Sequence, residues 1–294
     1  MYFSKAALVV AGAGLVSAAP VEKRAEITDA DILNYALTLE HLEDTFYREG
    51  LAKYTEADFA AAGFDATFYS NLKEVASDEK SHVDFLTSGL TAAGAVPVAE
   101  CTYDFGYTDV ASFLATASIL EGVGVSAYLG AAADIMSKAY LTAAGSILTV
   151  EARHSAYLRS KLNKAPFPQP FDAPLTYDEV YSLASPFITS CPSSNPALPV
   201  KAFPALALGT TGTIETGSTV TLLTTGYSVT GGPVYAAFIA VTGPTFVEAT
   251  PVDGGFSVEI PEGFKGQTYA VLTGCNEGVS DETVVAGPAL IEIS

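Results

Sequence analysis

Four stretches of this chain repeat apolar residues at three-and-four spacing, and each interrupts its apolar stripe near the middle with an acid or a histidine. The spacing predicts four helices, each with one face turned to a common interior. The first is predicted to start after Thr28, a good N-cap, and to run to about Leu51, with a core stripe of Leu33, Ala36/Leu37, Glu40, Glu43 and Tyr47. The second starts near Asp65 and ends near Leu90, with Phe68, Leu72, Val75, Glu79, His82 and Leu86. The third starts after Asp109, with Leu114, Ala117, Glu121, Gly124, Tyr128 and Ile135. The fourth runs from about Lys138 to Lys161, with Leu141, Ala144, Leu148, Glu151, His154 and Leu158. A carboxylate on a core face is costly unless something neutralises it. Four such faces carrying acids at matching positions therefore call for cations.

Helices one and three each contribute one Glu, and helices two and four each contribute Glu-x-x-His, as Glu79-Lys80-Ser81-His82 and Glu151-Ala152-Arg153-His154. A spacing of three puts Glu and His on one face, a turn apart. Glu40, Glu79, His82, Glu121, Glu151 and His154 together make the ligand set of di-iron and di-manganese carboxylate bundles. Two divalent cations would balance the four carboxylates. Heights agree: at about 1.5 Å per residue, Glu40 and Glu79 lie about eleven to fourteen residues from the ends where helices one and two meet, and Glu121 and Glu151 about twelve from theirs. Tyr47 follows Glu40 by two turns, as Tyr128 follows Glu121. Each phenol is expected to bond a ligating carboxylate or to act beside the metals; otherwise the two are core aromatics. Glu43, on the stripe edge, rivals Glu40, and the spacing to Tyr47 favours Glu40. His41, about 100° around the helix from Glu40, is expected to be exposed. Gly122 and Gly124 either allow close helix approach or leave room for an oxidant.

The expected fold class is α+β multidomain, a ferritin-like four-helix bundle followed by a small β-sandwich. The long connection between helices two and three, with Gly94, Pro97 and Cys101, is the single crossover of that bundle type. Residues 1–18 read as a signal peptide, with an apolar run from Ala6 to Val16 too short to span a bilayer. Residues 19–24 read as a short propeptide ending at the dibasic Lys23-Arg24, so the mature chain would begin near Ala25. The bundle is expected over 25–165, a Pro-rich linker with a short helix opened by Thr176 and Glu179 over 166–197, and an immunoglobulin-like β domain over 198–294. Its candidate strands are Ser218–Leu223, Val234–Val241, Thr245–Glu248, Phe256–Ile260, Thr268–Thr273 and Ala289–Ile293, with turns at Gly231-Gly232 and Asp253-Gly254-Gly255. Pro261-Glu262-Gly263 before Tyr269 resembles a tyrosine corner. No later stretch reads as long and apolar enough to cross a membrane. A net charge of −19 argues against nucleic acid and anionic membranes. Of three cysteines, Cys101 and Cys191 are expected to pair in an oxidising compartment, leaving Cys275.

Leu39-Glu40-His41-Leu42-Glu43, Asp78-Glu79-Lys80-Ser81-His82 and the run from Thr149 through Glu151 and His154 to Arg159 resemble the secreted fungal ferritin-like domain proteins. That group includes proteins tied to stress response and sexual development and is similar to plant desiccation-related proteins. The resemblance covers roughly Glu26 to Ser190 and implies the bundle and secretion; it implies little about the reaction. The expected function is a redox-active dinuclear iron or manganese protein acting on O2 or peroxide. Glu79 and Glu151 would bridge the metals, and the other four ligands would be terminal. The alternative is a non-catalytic secreted stress or wall-associated structural or binding protein with a vestigial metal site, its β domain binding a cell-wall component or another protein. A ferritin-like storage cage ranks below both, because the appended β domain would hinder a closed shell.

Overall fold

Polar caps set the helix boundaries. The computed structural model describes residues 27–226, 228–229 and 232–294; the signal peptide and dibasic site expected from the sequence lie outside the described residues. Thr28 and Asp31 form a capping box that opens α1 (Asp29–Lys53). Asp65 caps α3 (Ala66–Ala92), Asp109 with Ser112 caps α4 (Val110–Ala131), and Ser137 caps α5 (Lys138–Lys161). Each cap oxygen accepts a backbone N–H that the first turn leaves unpaired. A second short box, Thr55 with Asp58, opens α2 (Glu56–Ala61), a helix the sequence reading passed over. Helix four of that reading keeps its bounds, whereas helix three stops at Ala131 and gives way to a 3-10 turn, Ala132–Asp134.

α1 packs against α3 and α4, and α5 packs against α4. Asn34, early in α1, donates to the carbonyl of Val96 and accepts from the backbone of Val98, both beyond the end of α3, so α1 and α3 run antiparallel. The central layers are Phe46, Phe113, Leu72, Leu114 and Leu158. Leu141, placed on a core stripe by its spacing, is instead exposed, because α5 presents that first turn to solvent. His41 is partly buried rather than exposed, with its Nε2 3.1 Å from the carbonyl of Val98. Contrary to the sequence reading, the segment Val110–Asp134 is long and apolar enough to cross a membrane, with mean hydropathy 1.5; 67% of that window is buried inside the protein, so it is the core helix here.

The crossover after α3 forms β1 (Thr102–Tyr103), which pairs with β2 (Ile188–Ser190) beyond α6 (Tyr177–Ala184). A Cys101–Cys191 disulfide closes this ribbon, and Cys275 stays free. The sheet-rich remainder comprises β3 (Ala207–Leu208), β4 (Thr219–Leu223), β5 (Tyr235–Phe238), β6 (Thr245–Glu248), β7 (Thr250–Val252), β8 (Gly255–Glu259), β9 (Gly266–Thr273) and β10 (Val284–Ile293). They form two antiparallel four-stranded sheets, ordered β10-β9-β5-β6 and β3-β4-β8-β7. Leu222 and Val258 of one sheet share a core with Phe238, Leu272 and Ile291 of the other. β9 alternates: Ala270 and Leu272 face that core, whereas Tyr269 and Val271 belong to the core of the helices. This sheet is therefore buried on both faces, and its strand reads as a continuous apolar run instead of an alternating one.

The Tyr269 hydroxyl donates to the carbonyl of Gly122 in α4, 2.9 Å away. Tyr269 is thus a strut from sheet to helix and not the tyrosine corner its neighbours suggested. The Cβ that Gly122 lacks would lie 2.5 Å from the Gln267 amide, so this glycine admits the sheet, not an oxidant. Arg159, nearly buried in α5, holds Glu292 of β10 with Nη1 and Nη2 at 3.0 and 2.8 Å.

Candidate metal centre

Helical spacing sends Glu40 of α1, Glu79 and His82 of α3, Glu121 of α4, and Glu151 and His154 of α5 into one interior. The four Glu side chains are fully buried, and the two His nearly so. They fall into two groups of possible metal-holding side chains, Glu40-Glu79-His82-Glu151 and Glu79-Glu121-Glu151-His154, each with its ligand atoms within 4.8 Å of one another. Glu79 and Glu151 belong to both groups, so the two groups share a pair of acids. His82 Nδ1 lies 3.1 Å from Glu40 and from Glu79 and 3.2 Å from Glu151. His154 Nδ1 lies 3.0 Å from Glu79 and 3.4 Å from Glu121.

Several of these close approaches are not hydrogen bonds. Glu79 Oε1, Glu121 Oε2, both Glu151 oxygens and His154 Nδ1 are buried without a hydrogen-bond partner. Lone pairs that converge at 3.0–3.4 Å without pairing point into shared space, and buried polar atoms are rarely left so. Carboxylate oxygen with imidazole nitrogen is a donor set that suits iron and manganese. The residues present therefore fit a dinuclear cation site.

The protonation of the group follows from burial and crowding. Burial pushes the Glu79 carboxyl up to about 7, although the His154 and His82 imidazoles pull it down. Burial, then the Glu79 charge, pushes Glu151 well up. Burial pulls the His154 imidazole down, but the Glu121 and Glu79 carboxylates overcome this and lift it to about 11. His82 is raised against the same burial effect by Glu151, Glu40 and Glu79. The protein's own protons thus sit where cations would compete for them.

Both tyrosines touch the centre, crosswise. Tyr47 of α1 donates to Glu121 of α4, and Tyr128 of α4 donates to Glu40 of α1. The two-turn spacing put each phenol on the right face; the ring then spans to the neighbouring helix instead of its own. Burial, then the partner carboxylate, pushes both phenols well above their usual range, so they stay protonated as donors.

Two further residues join the site. Asp78 accepts from His154 Nε2 at 3.1 Å, which fixes the tautomer that presents Nδ1 inward. Its only sequence signal was its place beside Glu79. Glu43, set aside as the rival of Glu40, is also buried, one turn along the same face of α1. Burial, then the Glu151 charge, pushes its carboxyl well up. A Cβ on Gly124 would sit 3.1 Å from Glu151 Oε2 and 3.2 Å from Glu43 Oε1, so this glycine is what lets the two carboxylates meet over α4.

Residues 28–164, just under half of the chain, match the family model of the ferritin-like domain. The chain is also 31% identical over 180 residues to Protein rds1 of Schizosaccharomyces pombe, an alignment covering 61% of this chain and 44% of that protein. It therefore spans less than half the length of this curated relative.

Proposed function

We propose that this chain, whose residues 28–164 form a ferritin-like domain, binds two iron or manganese ions and is redox-active toward O2 or peroxide. The observation that carries the proposal is the pair of buried Glu/His groups sharing Glu79 and Glu151. Iron or manganese, when bound there, would supply cations able to change oxidation state. Glu40, Glu79, His82 and Glu151 would hold one, and Glu79, Glu121, Glu151 and His154 the other. Tyr47 and Tyr128 hold Glu121 and Glu40 in orientation, and Asp78 does the same for His154. The enclosing apolar layers keep bulk water from the centre. We further read the four long helices as a four-helix bundle and the two sheets as an immunoglobulin-like sandwich.

The Cys101–Cys191 bridge supports a secreted protein, since such bonds persist in oxidising compartments. A role in stress or development and contact with a cell-wall component belong to the same proposal. The test is metal analysis of purified protein beside a Glu79→Ala/Glu151→Ala variant, with O2 and peroxide consumption measured on both. Two metals per chain and consumption in the parent alone are expected. Equal metal content in the two would refute the centre. Two metals with no consumption would leave the non-catalytic, wall-associated reading.

A further inference from the structure

A cavity of about 140 Å³ opens against this centre from the side of the sheets. Its mouth is formed by Ile119 of α4, Leu183 of α6, Phe187 just beyond α6 and Leu290 of β10, all half-buried. Deeper in its lining lie the buried Gly124 and the Glu43 carboxyl. Glu43 is buried, with 4% exposure. The remaining walls are aliphatic. A cavity of this size and lining is comparable to engineered ones of about 150 Å³ that bind benzene and stay dry. A single polar group in an otherwise apolar pocket is the arrangement that orients a small ligand. Across Gly124, that group faces Glu151, one of the two acids shared by both metal-holding groups.

We propose that this cavity binds a small neutral molecule with an apolar body up to about the size of benzene and one hydroxyl, a phenol or short alcohol. The hydroxyl rests on Glu43, beside the dinuclear centre. The assignment rests on the proposed dimetal reading for its importance to the reaction, but not for the binding itself. It also gives the C-terminal sheet a part in the site, because Leu290 supplies one wall.

Ligand-observed NMR with phenol and with benzene, on the full chain after chelation, tests the binding directly. Both probes are expected to bind the parent protein. Ile119→Trp and Leu290→Trp, each at a half-buried mouth position, should abolish both signals while circular dichroism stays unchanged. Glu43→Gln should weaken phenol about tenfold, the loss of about 1.4 kcal/mol, and leave benzene unaffected. Ala144→Trp, in a second apolar cavity lined by α1, α3, α4 and α5, should change neither. Absence of phenol binding, binding that survives both mouth substitutions, or binding lost only in Ala144→Trp overturns the assignment. Metal uptake measured on the same samples separates the two proposals. Normal metal with no phenol binding defeats the subsite alone, and phenol binding without metal uptake defeats the dimetal reading alone.

Discussion

Removing metal should leave a protein that melts at lower temperature as pH rises, against the usual loss of stability on the acid side. The reasoning starts from Glu79, whose carboxyl burial lifts from 4.5 to about 7. A group whose folded value is raised favours folding fully below its unfolded value, and that contribution disappears as pH climbs through the folded value. For Glu79 the window runs from 4.5 to about 7, and the loss is about 3 kcal/mol at 1.36 kcal/mol per pH unit of displacement. His154, lifted from 6.5 to about 11, has the same sign and extends the decline to higher pH. At roughly 2 to 4 °C per kcal/mol for a domain of this size, the Glu79 step alone lowers Tm by roughly 6 to 12 °C between pH 5 and 8. Saturating manganese displaces these protons, so its affinity rises with pH. At a hundredfold excess over Kd it adds about 2.7 kcal/mol, so the gap between loaded and chelated protein widens toward pH 8. Calorimetry of both forms across pH 5 to 8 measures this, with Glu79→Gln as the control. That variant carries a neutral amide at every pH and should lose the Glu79 step. A chelated parent whose Tm is flat or rising, or a Glu79→Gln protein that keeps the parent's slope, refutes the reasoning.

Tyr128→Phe should deprive the fully buried Glu40 of its phenol donor and weaken metal binding by roughly 10- to 100-fold; Tyr47→Phe should do so through Glu121, with competition against a chromophoric chelator as the readout. Cys101→Ala opens a bridge between residues 90 apart in sequence and should cost about 4.6 kcal/mol in denaturant unfolding, the chain-entropy value for such a loop. Glu292→Ala leaves the nearly buried Arg159 without its two-pronged acceptor and should cost about 3 to 5 kcal/mol. The Arg159 and Lys164 cations hold the Glu292 carboxyl below its usual value despite its burial. Its stabilisation is therefore complete above 4.5 and lost only as pH falls further, and urea midpoints of parent and variant should converge there.

What the sequence exposed and what it hid have a common cause. Helical phase follows from residue spacing alone, which is why Glu40, Glu79, His82, Glu121, Glu151 and His154 could be assigned to inward faces; capping-type residues did the same for the helix starts at Asp65 and Asp109. Phase does not say how far a side chain reaches. The phenols of Tyr47 and Tyr128 extend past their own helices, so their partners lie on the neighbouring one. Phase also cannot choose between two acids a turn apart when both are buried. Glu40 and Glu43 face the interior together because Gly124 makes room opposite. The residue that decides Glu43's position is therefore eighty-one places away in the chain, a relation visible only after α1 and α4 pack.

The same limit governs the C-terminal sheets. Strand β9 shows an unbroken apolar run, Tyr269-Ala270-Val271-Leu272, whose two faces are buried by different partners. Such a run marks a strand covered on both sides, yet the sequence cannot name the second cover. The cover is the helical core, and the contact bears on the centre itself. Tyr269 bonds the carbonyl of Gly122, the residue after Glu121, and Gln267 bonds the carbonyl of Ile119 two residues before it. Both bonds fix the backbone of α4 at the turn that carries Glu121, and a carboxylate that must meet a cation within tenths of an ångström depends on that backbone. Cutting the chain before β3 should therefore do more than remove the two sheets: it should loosen the position of Glu121, and the metal affinity of the shortened chain should fall even where its helix content is retained.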